Sequence, residues 1–133
     1  MAEAARSPGP MGELSLRMMA MPADTNASGH IFGGWVLGQM DIAGSILALG
    51  QAGGRVVTVA VDAMKFHKPV DVGDEVSCYT RITRIGRTSV TVMVETWVRR
   101  GRLGAPVHVT EGLFTYVAVD RHGHPVEVLN KAF

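Results

Sequence analysis

One acidic residue, Asp41, interrupts a long apolar run, Ile31–Gly50, in which Gln39 and Ser45 are the other polar side chains. A carboxylate set among apolar groups pays a desolvation cost, so it needs a partner or a task. If the run is helical, steps of three, four and seven from Asp41 reach Gly34, Leu37, Gly38, Gly44, Ser45 and Ala48, which share its face. That face is mostly small, so a narrow ligand or another backbone can reach the carboxylate, while Trp35, Ile42, Ile46 and Leu49 offer a broader surface for packing on a sheet. Two readings follow. The carboxylate acts as a general base or nucleophile, or it is an interface Asp bonded to a neighbouring backbone.

The segment before this run, Ala23-Asp24-Thr25-Asn26-Ala27-Ser28-Gly29-His30, is dense in polar groups and leads through Ile31-Phe32 into Gly33-Gly34. The first backbone N–H groups of a helix have no partner within it and favour negative charge. Two glycines there leave that end uncovered, which suits an oxyanion hole or, equally, close packing of helix on sheet. Other residue types carry less. His30, His67, His108, His122 and His124 are dispersed, which points to no metal site. Cys78 falls inside a strand with no base or helix start beside it and reads as a buried thiol. Neither a Gly-x-Ser-x-Gly elbow nor a phosphate-binding P-loop nor a GxGxxG pattern occurs.

These residues must be positioned by a short list of elements. An extended piece at Leu14–Ala20 precedes the polar loop and the helix, a Gly-rich break follows at Gly50–Arg55, and strands are expected at Val56–Phe66, Glu75–Ile85, Thr88–Arg99 and His108–Asp120. The order is β-α-β-β-β-β, paired antiparallel, with Ile85-Gly86-Arg87 as a tight hairpin connection. Val90, Val92, Val94 and Val98 fall on one face of their strand by simple alternation, giving it one dry side. Val56–Phe66 and Leu113–Val119 are apolar on both faces. A single helix covers one side of such a sheet, so the remaining cover is assigned to a second copy of the chain.

With 133 residues the chain holds about one domain; residues 1–12 read as a flexible tail and 13–133 as the folded unit. A hydrophobic fraction of 47% with 19% charged residues suits a packed core. A net charge of +1 gives no general pull toward nucleic acid or an anionic membrane. A single cysteine excludes an internal disulfide and fits a cytoplasmic setting. The run at Ile31–Gly50 approaches membrane-spanning length, but Asp41 near its centre argues for a buried helix.

Taken in order, Asp24-Thr25-Asn26-Ala27-Ser28-Gly29-His30-Ile31-Phe32-Gly33-Gly34-Trp35 and Gln39-Met40-Asp41 closely resemble the entry and central helix of hotdog-fold acyl-CoA thioesterases, particularly the YciA-like branch. The resemblance continues through Gly54–Val61, Phe66-His67-Lys68-Pro69, Val72-Gly73-Asp74, Gly86-Arg87-Thr88-Ser89 and Phe114–Asp120. It implies an α+β hotdog fold, a long central helix wrapped by an antiparallel sheet. Subunit sheets join into dimers, three dimers form a hexamer in this branch, and active sites lie at the subunit junction.

The resemblance further implies hydrolysis of acyl-CoA to free acid and coenzyme A, with no metal and no cofactor. Asp41 falls at the catalytic acid, as general base or nucleophile, Asn26 at a residue that helps form the site, and Gly33 or Gly34 at the amide that polarises the thioester carbonyl. Thr58, in a strand facing the helix, is a supporting hydroxyl. Gly86, Arg87, Thr88 and Ser89, with Arg84 nearby and Lys68 within reach, are candidates to hold the phosphates of coenzyme A; without the resemblance they read as an ordinary hairpin with solvated arginines. Many relatives carry His before the paired glycines. Phe32 stands there instead, which removes an imidazole acid-base role and argues against a hotdog dehydratase. The alternative to an enzyme is a non-catalytic module that binds or senses acyl-CoA with the same cleft.

Overall fold

The computed structural model describes residues 9–101 and 103–133; residues 1–8 of the expected tail lie outside the described residues. Strand β1 (Glu13–Met19) and a 3-10 turn (Pro22–Asp24) lead into helix α1 (Gly33–Ala52), followed by β2 (Val56–Phe66), β3 (Glu75–Ile85), β4 (Ser89–Arg99) and β5 (Val107–Ala118). The helix starts and ends two residues later than its apolar run. It stops where Gly53 adopts a left-handed conformation (φ 77°) and donates its N–H to Leu49 O at 3.0 Å. Met11 and Gly12, assigned to the tail, are anchored: Met11 N–H reaches Glu95 Oε1 at 3.4 Å and Gly12 packs on the Thr80 backbone.

All five strands pair antiparallel in the order β1-β3-β4-β5-β2. The dry face expected of β4 is present: Val90, Val92 and Val94 are fully buried and Val98 nearly so. They meet Val36, Met40, Ala43 and Ala48 of α1, with Phe114 and Tyr116 of β5 completing the core.

The helix turns toward the sheet the face that the residue sizes did not favour. Gly44 and Ala43 are buried against the sheet, whereas Ile42, Ile46 and Leu49 are 50%, 53% and 52% exposed. The cause is Tyr116: its ring rises from β5 into the space that a side chain at position 44 would occupy, leaving room for nothing larger than glycine. The bulky residues therefore point away, next to β2, whose Val57, Val59 and Val61 are also well exposed. Edge strand and helix together leave several large apolar side chains exposed, of the kind that a partner covers. Among the described residues no helix is long and apolar enough to cross a membrane.

Replacing Gly44 with Ala would drive a Cβ into the Tyr116 hydroxyl and to 3.1 Å from its Cζ. Overpacking of this kind costs about 1–3 kcal/mol. Chemical denaturation of Gly44→Ala should show that loss, and a stability within about 0.5 kcal/mol of wild type would contradict the packing described here.

Candidate active site

Helix α1 carries Asp41 into contact with two hydroxyls supplied by different strands. Thr58 of β2 donates its Oγ1–H to Asp41 Oδ1 at 2.7 Å, and the Tyr116 phenol lies 2.7 Å from the Asp41 carbonyl and 3.2 Å from the same Oδ1. The register explains the meeting: Thr58 pairs with Tyr116 across the β2–β5 ladder, and Tyr116 pairs with Val90 of β4. Asp41 Oδ2 makes no hydrogen bond to the described residues, so one carboxylate oxygen is fixed and the other is not engaged by them.

Tyr116 is fully buried. Burial first, and then the charge and hydrogen bond of Asp41, hold its phenol far above the ordinary tyrosine range, so it remains a proton donor to the carboxylate. Tyr116 thus joins Asp41 in the candidate site, although its position in an apolar strand marks it as core. The available signal was Gly44, whose missing side chain makes room for the ring.

Asn26 occupies the loop before the helix. Its Oδ1 accepts from the backbone N–H groups of Ser28 and His30 at 2.9 and 3.1 Å, which folds the loop and leaves the amide NH₂ free of that turn. Phe32 N–H is taken by Asp24 O at 3.0 Å, and Ile31 N–H by Val70 O at 2.9 Å. Neither Gly33 N–H nor Gly34 N–H has a protein acceptor among the described residues. Asn26 and Gly33 line a cleft of about 350 Å³ whose walls include Val36, Phe66, Lys68 and Val109.

Within one chain the expected site residues fall into two groups. Asp41 lies eight residues beyond Gly33, about 12 Å along the helix axis. Thr58 and Tyr116 accompany Asp41, and the β3–β4 hairpin lies at the same end of the sheet, since Ser89 pairs with Val117, the neighbour of Tyr116. Lys68 belongs with Asn26 and the cleft. The Thr110 row beside Phe66 and the Val117 row beside Ser89 are seven residues apart along β5, about 23 Å. Lys68 and Arg87 of the same chain are therefore not neighbours.

The hairpin itself is well built. Gly86 N–H donates to Ser89 O at 2.8 Å, Ala118 N–H to Thr88 O at 2.8 Å, and Val128 N–H to Arg87 O at 3.0 Å. The Arg87 side chain is 76% exposed with Glu127 4.0 Å away, and Arg84 on β3 is also exposed. Lys131 reaches the same Arg87 carbonyl at 3.0 Å, adding a cation to the hairpin that spacing alone did not reveal.

Two of the dispersed histidines converge. His67, which follows β2, and His108 of β5 both face Glu111, at 2.8 and 3.1 Å from its Oε1. Residues three apart on a regular strand point to opposite faces. Here the β4–β5 register shifts between Thr96 and Trp97, so that Val109 and Thr110 both turn inward while His108 and Glu111 share the outer face. Cys78 is buried beside Thr96, and burial pushes its thiol up to about 11, which suits a core residue and not a nucleophile.

Comparison with known proteins places this arrangement in context. Residues 28–105 match the Thioesterase superfamily. The acyl-CoA thioester hydrolase YciA of Escherichia coli is 55% identical over 119 residues, spanning 87% of this chain and 90% of that protein. A hexameric thioesterase from Yersinia pestis is 55% identical and superposes with a TM-score of 0.86 over 90% of this chain and 97% of the other. A hexameric hotdog fold thioesterase of Campylobacter jejuni is 44% identical, with a TM-score of 0.83 over 89% and 91% of the two chains.

Because its folded pKa is raised, Tyr116 contributes stability that is present below the unfolded tyrosine value of about 10 and is lost as pH climbs above it. Denaturation midpoints followed from neutral to alkaline pH should fall more steeply for wild type than for Tyr116→Phe. Parallel curves for the two proteins would show that the phenol is not held as described.

Proposed function

The chain belongs to the thioesterase superfamily, as an acyl-CoA thioester hydrolase of the hotdog fold, and from that premise we propose that Asp41 drives cleavage of acyl-CoA to the free acid and coenzyme A. A thioester is already activated, so the reaction needs only a nucleophile and a place for the developing oxyanion. Asp41 Oδ2 takes a proton from the attacking water, or itself attacks to form a mixed anhydride that water then opens. Both routes use the same free oxygen. In each, the carbonyl carbon gains an oxygen, the C–S bond breaks, and the thiolate of coenzyme A leaves and is protonated.

The observation that carries this reading is the carboxylate clamped through one oxygen by Thr58 and Tyr116 beside an uncovered edge.

The oxyanion donors are Gly33 N–H and Gly34 N–H, with the Asn26 amide orienting water or carbonyl. At about 10–12 Å from Asp41 along the helix axis, they cannot meet the same thioester within one chain, so we assign them to a second copy. A two-fold pairing of exposed β2 strands about their midpoint, Val61, sets Thr58 against Met64 and brings the Asp41 end of each chain to the cleft end of the other. The same pairing buries the apolar surface of Ile42, Ile46, Leu49 and Val59, which are all exposed in one chain. It also lets Lys68 of one subunit approach the hairpin of the other. The hexameric state of the Yersinia and Campylobacter proteins makes three such dimers the assembly we propose. Arg87 and Ser89, with Arg84, Gly86 and Thr88 shaping the hairpin, bind the phosphates of coenzyme A, and the reduced thiol of Cys78 fits a cytoplasmic protein.

Thiol release from short, medium and long acyl-CoAs tests the reading. Asp41→Asn should lower kcat by about 10²–10⁴ with the oligomer and coenzyme A binding retained. Binding of acyl-CoA by wild type without any thiol release would instead establish a non-catalytic module. Arg87→Ala should raise KM about tenfold, the loss of one charge-assisted contact, with kcat unchanged; an unaltered KM would remove Arg87 from the substrate site.

A further inference from the structure

His67, His108 and Glu111 bring their ligand atoms within 4.8 Å of one another on the outer face of the sheet, at the end opposite to Asp41. We propose that these three residues bind a divalent transition-metal ion of the zinc class, clipping the end of β2 to β5 at the rim of the cleft. Two imidazoles and one carboxylate are a zinc donor set that leaves a fourth position open to solvent.

The spacing fits. Tetrahedral ligands about 2.0–2.1 Å from zinc lie about 3.3 Å from one another, and Glu111 Oε1 stands 2.8 Å from His67 Nε2 and 3.1 Å from His108 Nε2. Opening of a few tenths of an ångström admits the ion. One ring is already set in place: His108 stacks on the largely buried Trp97, with centroids 4.9 Å apart and an interplanar angle of 13°.

Charge points the same way. Glu95 of β4 pairs directly with Glu111 across the ladder, and like charges in that relation repel. Trp97 Nε1–H donates to Glu95 Oε1 at 2.9 Å, which holds that carboxylate in place. Lys65 pairs with Glu111 on its other side but forms no ion pair with it among the described residues. A bound dication neutralises the carboxylate pair, and through His67 it fixes one wall of the cleft that Gly33 and Phe66 also line. No step of the hydrolysis runs through this ion.

Without an ion, His67 Nε2 lies 2.8 Å from Glu111 Oε1 and His108 Nε2 also reaches the Thr110 carbonyl at 3.1 Å; with one, each neutral ring carries its proton on Nδ1 and turns an unprotonated Nε2 to the metal. Calorimetric titration of the chelator-stripped oligomer with zinc should show one ion per chain. His108→Gln and Glu111→Gln should each weaken it about 100-fold or more, above the range for losing a supporting residue, while His124→Gln leaves it unchanged. Zinc should raise the Tm of wild type but not that of the two ligand variants. Cobalt(II) gives a test that needs no variant: an intense visible spectrum is expected for the tetrahedral site. No stoichiometric zinc binding, equal affinity in the ligand variants, or a weak octahedral cobalt spectrum would each overturn the proposal.

Discussion

The arrangement depends on holding one carboxylate on an otherwise apolar helix. Asp41 can sit mid-helix because Thr58 and Tyr116 supply hydroxyl donors from two adjacent strands. The price of that clamp is paid in side-chain volume: the phenol needs the space above Gly44, so small residues face the sheet and large ones face outward. Helix orientation, the depth of Tyr116 and the location of the exposed apolar surface are thus consequences of one contact.

That outward face also accounts for the division of the site. Each chain presents a carboxylate end, with Thr58, Tyr116 and the hairpin at Gly86–Ser89, and a cleft end, with Asn26, Gly33 and Lys68. In the proposed mechanism neither end of one chain supplies both the nucleophile and the oxyanion donors. An unpaired β2 edge between them, flanked by Ile42, Ile46 and Val59, favours association that buries apolar area while bringing unlike ends together. In the proposed dimer, stability and catalysis are served by the same surface.

Much of this was legible in the residues. Strand alternation identified the dry face of β4, and the apolar run marked the helix to within two residues at each end. Asp41 stands out by polarity, and Thr58, a candidate supporting hydroxyl by its strand position, is hydrogen-bonded to it. The helix face was not legible, because side-chain size suggested that Ile42, Ile46 and Leu49 would pack inward, whereas a tyrosine from a strand about 75 residues away decides the matter. Tyr116 itself was hidden in an apolar strand. The convergence of His67, His108 and Glu111 was equally hidden, since strict alternation separates positions 108 and 111 and only a local register shift unites them.

Subunit complementation tests the central claim most directly. Asp41→Asn and Asn26→Asp disable opposite ends of the chain, and the latter keeps the Oδ1 acceptor that folds the loop. Mixing the two inactive proteins by denaturation and refolding should restore about a quarter of wild-type turnover, because half of the randomly formed dimers carry one intact site. If mixed oligomers form and remain inactive, Asp41 and Asn26 do not meet across a subunit junction, and the shared-site account fails.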